Sequence, residues 1–364
     1  DHVVNEYDPG YPHFQKGLYT VYPFAKENFH PIEENQNSRR IAFVDGGNQE
    51  LIAAPNFSVQ LNRIYFNIFE GTKRIDQDDL PQMLEFLSAT YSSFKKDQIY
   101  YHTLLFPARE KWRYYLPSES DLSFSSTDRT IMHGTAAADI QTVASIARRF
   151  AEWRYSYFII DKLLRKNDIF VSDGTLQTSF SNEKRYLKDL HTKASNKGVI
   201  LSGLAKTSSL FTTTGLSLFG TLSKFADDWN INCGKWYYYP IAEGLTQDHS
   251  VMIFGVKLYE MSDHIFRYEI SKEQVKAMEE RQRNEVLYCL AANSADLIFP
   301  GYPYGLVDAD DNARVRNSET ETYKIMILSE LSNLGLWRKF VRHMHSSDSH
   351  DILNHLKGGL RKHG

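Results

Sequence analysis

Two apolar runs break off at the same dipeptide. Residues 39–44, RRIAFV, lead into Asp45-Gly46-Gly47, and residues 168–172, DIFVS, lead into Asp173-Gly174. Short β-branched and aromatic runs bounded by Asp and Gly predict buried strands. An Asp at the mouth of each places a carboxylate at a sheet's end, beside backbone that bends easily. One such junction is an ordinary strand-to-turn device. Two, after strands of the same type, predict that the carboxylates meet in space. Paired carboxylates repel unless a cation lies between them, so the pair predicts a divalent ion, Mg²⁺ or Mn²⁺. Two such ions about 4 Å apart suit phosphodiester cleavage.

The rest of the chain surrounds these strands with α/β material. Residues 61–69 read as a second strand, with a short one at 51–58, and no helix fits between 45 and 69, which predicts an antiparallel meander. Residues 77–165 read as mainly helical, best at 80–94 and 140–164. A second β block follows: a helix at 182–194, strands at 198–204, 236–241, 250–258 and 265–270, then helices at 274–293 and 320–334. The expected architecture is a mixed sheet flanked by helices, with a large helical insertion at about 77–165. Residues 1–38 form an N-terminal arm, 39–340 one domain, and the His-rich 341–364 a flexible tail.

Composition narrows the class. Apolar residues make up 42% and charged residues 24% of the 364, enough to bury a core without crosslinks. Two cysteines without a CxxC pair argue for reduced thiols in the cytoplasm and against a zinc site or disulfide framework. No signal peptide is evident at the start, and the longest apolar stretches, such as 251–256, fall far short of a membrane span. A net charge of −3 gives little long-range pull on DNA, although carboxylates in a site and basic residues around it cancel in the sum.

Two Asp rarely satisfy two ions, so further ligands are expected. Glu152 lies in RRFAEWRYSYFII among Phe150, Trp153, Tyr155 and Ile159, where an unpaired carboxylate is costly; the plainer alternative is an intrahelical pair with Arg148 or Arg149. Asp308, Asp310 and Asp311 crowd after the turn at 299–305, where an acidic helix start is the bland alternative. Lys206, in ILSGLAKTSS, follows a third buried-type strand and suits a phosphate or a water, or simply reaches solvent.

Taken in order, VDGG, the helix Glu152, SDGTL, SGLAKTSS and YPYGLVDADDNAR resemble the NurA nuclease family from about residue 39 to 334. That resemblance implies an RNase H-like fold, a homodimer, and Mn²⁺-dependent degradation of DNA from ends and in single strands. It also implies a partner, the hexameric HerA translocase. By motif it makes Asp45, Asp173 and Glu152 metal ligands, with Asp310 a fourth where many relatives carry His, a departure that predicts better use of Mg²⁺ here. It assigns Lys206 and Tyr302 to the site, with Tyr304 close enough in register to compete. The aromatic arm, with Tyr7, Tyr11 and Phe14, is then the first place to look for partner docking, unless it packs on the chain's own core. Two rivals stand beside this: an actin-like phosphotransferase, whose strand-end Asp-Gly turns cradle ATP, and a non-catalytic adaptor of a ring ATPase.

Overall fold

The computed structural model describes residues 8–35, 39–132, 134, 136 and 138–336. Two short strands come first, β1 (Tyr19–Val21) and β2 (Phe29–Pro31). The hairpin β3 (Arg40–Ala54) and β4 (Phe57–Glu70) follows, then β5 (Lys73–Arg74), a second hairpin β6 (Met83–Lys95) and β7 (Gln98–Pro107), and β8 (Phe124–Ser125). Helix α1 (Ile140–Leu163) leads to β9 (Ile169–Asp173), α2 (Lys184–Lys197), β10 (Ile200–Ala205) and α3 (Leu218–Asp228). Strands β11 (Trp236–Gly244), β12 (Val251–Lys257) and β13 (Phe266–Ser271) precede α4 (Lys272–Lys276), α5 (Glu280–Ala292), α6 (Tyr304–Ala313) and α7 (Asn317–Asn333).

These strands join one sheet in the order β1-β11-β12-β13-β10-β9-β3-β4-β6-β7-β8, with β2 paired to β11 and β5 to β4. At its centre β9 runs parallel to both β3 and β10, while β4 is antiparallel to β3 and β6. The parallel steps follow from the helices α1 and α2, because parallel neighbours need a crossover. Along β6-β4-β3-β9-β10 the strands stand in the chain order 3-2-1-4-5, an RNase H-like arrangement with helices on both faces. No helix among the described residues is long and apolar enough to cross a membrane.

Alternation along each strand sorts side chains to two faces. Ala42, Val44, Ile64, Phe66 and Phe170 pack with the apolar residues of α1 and α2. Ile41, Phe43, Ile169, Val171 and Leu204 pack with those of α5 and the start of α6. Helix α6 lies unusually close to β3, with Gly305, Ala309 and Ala313 buried at every fourth position. Asn67 holds it there, donating from Nδ2 to the Gly305 carbonyl at 2.7 Å. A Cβ on Gly305 would stand 2.0 Å from the Phe43 ring. Gly305→Ala is therefore expected to cost about 1–3 kcal/mol through overpacking, read from the midpoint of urea unfolding. An unchanged midpoint would mean that α6 tolerates a wider gap than its contacts imply.

Several expectations need correction. Residues 77–165 are not mainly helical: 80–94 holds most of β6, which pairs with β4 and with β7. The run Leu84, Phe86, Ser88, Thr90 buries alternate residues, and its polar members find partners across strands. Asn62 donates to Ser88 Oγ at 2.9 Å, and Thr90 and Thr103 share a bond of 2.8 Å. The short strand at 51–58 is the end of β3 and the start of β4 joined by a tight turn. The helix at 274–293 is broken into α4 and α5, and α3 had no counterpart in the sequence reading. Within residues 8–35 two short pieces join the sheet, since β1 and β2 both pair with β11. Phe14 packs on Tyr19, with ring centroids 5.0 Å apart, while Tyr11 is exposed. Tyr7 and the tail at 341–364, with its histidines, lie outside the described residues.

Candidate active site

Strand β3 does not end at Asp45; it runs nine residues further, to Ala54. Gly46 and Gly47 are thus not turn residues. What they supply is room. A Cβ on Gly46 would lie 2.7 Å from Arg148 Cδ and 2.9 Å from Glu152 Oε2, both on α1. One on Gly47 would lie 2.3 Å from the Ala313 carbonyl of α6. Gly174 differs: its φ of +106° marks a true left-handed turn. Its N–H donates to the Leu204 carbonyl at 2.8 Å, which ties the end of β9 to β10.

Asp45 and Asp173 share the parity of Phe43 and Val171 and so face α6. That helix contributes Asp310, and one oxygen from each of Asp45, Asp173 and Asp310 falls within 4.8 Å of the others. Lys206, just beyond β10, bridges two of them, at 2.9 Å from Asp173 Oδ2 and 2.8 Å from Asp310 Oδ1. The buried Tyr302 donates its hydroxyl to Asp173 Oδ1 at 3.1 Å. Tyr304 instead packs edge-on against Phe69. Asp308 is committed to Arg74 and to Asn67, and Asp311 is exposed.

Glu152 comes from the opposite face. It has the burial of a core residue, accepts from Arg148 Nη1 at 2.7 Å, and receives a weaker bond from Ser172 Oγ at 3.4 Å. It stands outside the three-carboxylate group, so the intrahelical pair weighed against a ligand role is formed. The gap left by Gly46 nonetheless brings its carboxylate to the strand directly behind Asp45.

Electrostatics follow from this crowding. Burial first, then Asp173 and Glu152, push the Asp45 carboxyl up to about 8, against the pull of Lys206 and the Gly46 N–H. Burial likewise raises Glu152, and Arg148 and Arg149 only partly offset it. For Lys206 burial acts downward, but its contacts with Asp173 and Asp310 outweigh it and hold the amine at about 12. Tyr302 is raised by burial and by Asp173, so its hydroxyl keeps its proton. Three converging carboxylates, one of them strained by its neighbours, are the donor set that hard divalent cations satisfy.

The NurA domain model matches residues 39–315. The chain belongs to the NurA family. It is therefore one of a family of nucleases, and the match spans every residue of the cluster. No curated protein matches the chain. Among solved structures it is similar to Ciona intestinalis Endonuclease V in complex with a 24mer DNA containing an inosine followed by a ribo-adenosine. That match has 9% identity and a TM-score of 0.36, and covers 79% of this chain and 87% of that one. The catalytic domain of human Endonuclease V matches at 11% identity and a TM-score of 0.33, over 88% and 93% of the two chains. An Argonaute of A. aeolicus matches at 10% and 0.25, over 75% and 27%.

A further network supports the site without a motif to announce it. Glu269 on β13 accepts the Leu176 N–H at 2.9 Å, holding the turn that follows Asp173. The same carboxylate pairs with Arg267 at 2.6 Å and His249 Nε2 at 2.9 Å, and His249 Nδ1 meets the Tyr19 hydroxyl at 2.6 Å. Its only sequence signal is a charged pair inside the strand FRYEIS.

Proposed function

We propose that this NurA-family chain is a divalent-metal-dependent deoxyribonuclease that degrades DNA from ends and cuts single strands. The convergence of Asp45, Asp173 and Asp310, bridged by Lys206, is the observation that carries this. Asp45, Asp173 and Asp310 would hold Mn²⁺ or Mg²⁺, with Glu152 within reach behind Gly46 as a further ligand. When bound, such ions supply a more acidic water and neutralise charge on the phosphate.

The chain's own residues do the rest. The Tyr302 hydroxyl, which keeps its proton, fixes one oxygen of Asp173 and leaves the other to Lys206. Lys206 keeps its charge and holds the Asp173 and Asp310 carboxylates together against their repulsion. It stands where it can also attract a phosphate oxygen. The turn at 173–176, tied down by Leu204 and Glu269, keeps Asp173 from drifting away from Asp45.

The near-neutral net charge favours weak DNA binding by the chain alone. Together with the family membership this supports action as a cytoplasmic homodimer fed by a HerA-like hexameric ATPase in DNA end processing. Incubating end-labelled single- and double-stranded DNA with Mn²⁺, Mg²⁺ or EDTA tests the enzymatic reading. Cleavage with either ion and none in EDTA is expected, with Mg²⁺ supporting appreciable turnover because every proposed ligand is an oxygen donor. Intact DNA with every divalent ion tried would overturn it.

A further inference from the structure

We propose that Arg148 is an internal counter-ion that competes with the bound cation for Glu152, and so sets the metal affinity of the site. The inference rests on the metal-dependent reading above. Four carboxylates gather around the centre of β3: Asp45, Asp173 and Asp310 on one face, Glu152 on the other. Two cations make direct ion pairs with them among the described residues, while Arg149 acts on Glu152 from further off. Lys206 serves Asp173 and Asp310, and Arg148 serves Glu152, whose side chain is only 8% exposed. A carboxylate so buried needs a partner before any metal arrives.

The two neighbouring arginines of α1 differ in how firmly they are held. Arg149 is built in: its Nε bonds Glu183 and its Nη2 bonds the Gln177 carbonyl, each at 2.5 Å. Arg148 gives one Nη to Glu152, and its buried Nε has no hydrogen-bond partner among the described residues. Its side chain is 28% exposed, so the residue is not sealed inside the core. Gly46 leaves the space in which both Arg148 Cδ and Glu152 Oε2 lie against the strand. A cation held by Asp45 on the other side of that thin backbone attracts Glu152 and repels Arg148. Binding the ion and keeping the Arg148–Glu152 pair are therefore opposed, and removing the guanidinium should strengthen metal binding.

The test is Mn²⁺ titration of the full chain without DNA at pH 8, with free ion followed by electron paramagnetic resonance. Arg148→Met should tighten Mn²⁺ binding by about tenfold, the scale of one unit charge acting on a divalent ion across a partly screened gap of a few ångströms. Arg148→Gln, which keeps a donor for Glu152 but no charge, should tighten it likewise, and covers the case in which the Met variant does not fold. Arg148→Lys should return close to the parental value. In a Glu152→Gln background the tightening should shrink, because only the direct repulsion between the guanidinium and the ion is then relieved. Unchanged or weaker binding in both neutral variants, or equal tightening without Glu152, overturns the inference. If the parent binds Mn²⁺ and cuts DNA while the neutral variants match its affinity, only this inference falls. If the parent takes up no Mn²⁺ and cuts no DNA, the nuclease reading falls with it.

Discussion

Asp45→Asn should lower DNA cleavage by at least about 10³-fold while stabilising the ion-free protein at alkaline pH. Asp45 sits where β3 passes between α1 and α6, and its neighbours Asp173 and Glu152 both disfavour its charge. The folded-state pKa is raised from 3.8 to about 8. Below the unfolded value both states are protonated, and the folded protein pays nothing for this carboxyl. As pH rises towards 8 the unfolded chain is ionised while the folded site resists ionisation, so stability is progressively lost. Asn is neutral at every pH and escapes that loss. In EDTA the variant should gain on the order of 2 kcal/mol over the parent at pH 9, after allowance for its coupling to Asp173 and Glu152. At pH 4 it should gain almost nothing. Thermal unfolding at the two pH values, beside a cleavage assay in Mn²⁺, measures both halves. A variant that cuts at the parental rate would remove Asp45 from the site.

The second large effect concerns stability rather than chemistry. Glu269→Ala should destabilise the fold by about 3–5 kcal/mol, because it removes the buried anion that the largely covered Arg267 and the buried His249 share. The loss extends to the site, since the Leu176 N–H behind Asp173 loses its acceptor. Burial alone would raise the Glu269 carboxyl, but Arg267 and then His249 outweigh it and hold it at about 2, from an ordinary 4.5. A carboxyl depressed on folding stabilises the protein above its unfolded pKa, and that contribution is lost as pH falls from about 4.5 to 2. The parent should therefore lose stability across that window more steeply than Glu269→Gln, whose side chain cannot titrate. Urea midpoints at pH 7, 4 and 3 give the comparison. Parallel pH profiles for the two proteins would mean that Glu269 contributes nothing through its charge.

What was legible in the sequence had a local cause. The apolar runs before Asp45 and Asp173 read correctly as buried strands, because a short β-branched run is a property of neighbours in the chain. Helix α1 is visible from its 3.6-residue period, and the expected spans of α1, α2 and α7 lie within a few residues of their observed ends. The pattern of β6 fits both periods, so the sequence predicts a helix where a strand forms. What makes it a strand is the pair of partners it finds in β4 and β7, with Ser88 and Thr90 satisfied across strands.

The site divides the same way. The sequence by itself determined the set of carboxylates, the lysine after the third strand, and glycines beside the first Asp. Only the tertiary structure decided which member of Asp308, Asp310 and Asp311 faces Asp45, because that depends on how α6 is turned when Gly305 and Ala309 seat it on β3. It decided that Tyr302 rather than Tyr304 reaches Asp173. It also gave Gly46 and Gly47 a different purpose from Gly174: the former admit a helix on each face of an unbroken strand, while only the latter makes a turn. The packing of α1 on the other face placed Glu152 and Arg148 behind the sheet, while strand alternation turned Asp45 and Asp173 towards α6. The physical reason is range. Period, polarity and turn chemistry act over a few residues, whereas the meeting of Asp45 with Asp310 joins positions far apart in the chain, and its geometry exists only once the sheet and both of its helical layers have packed.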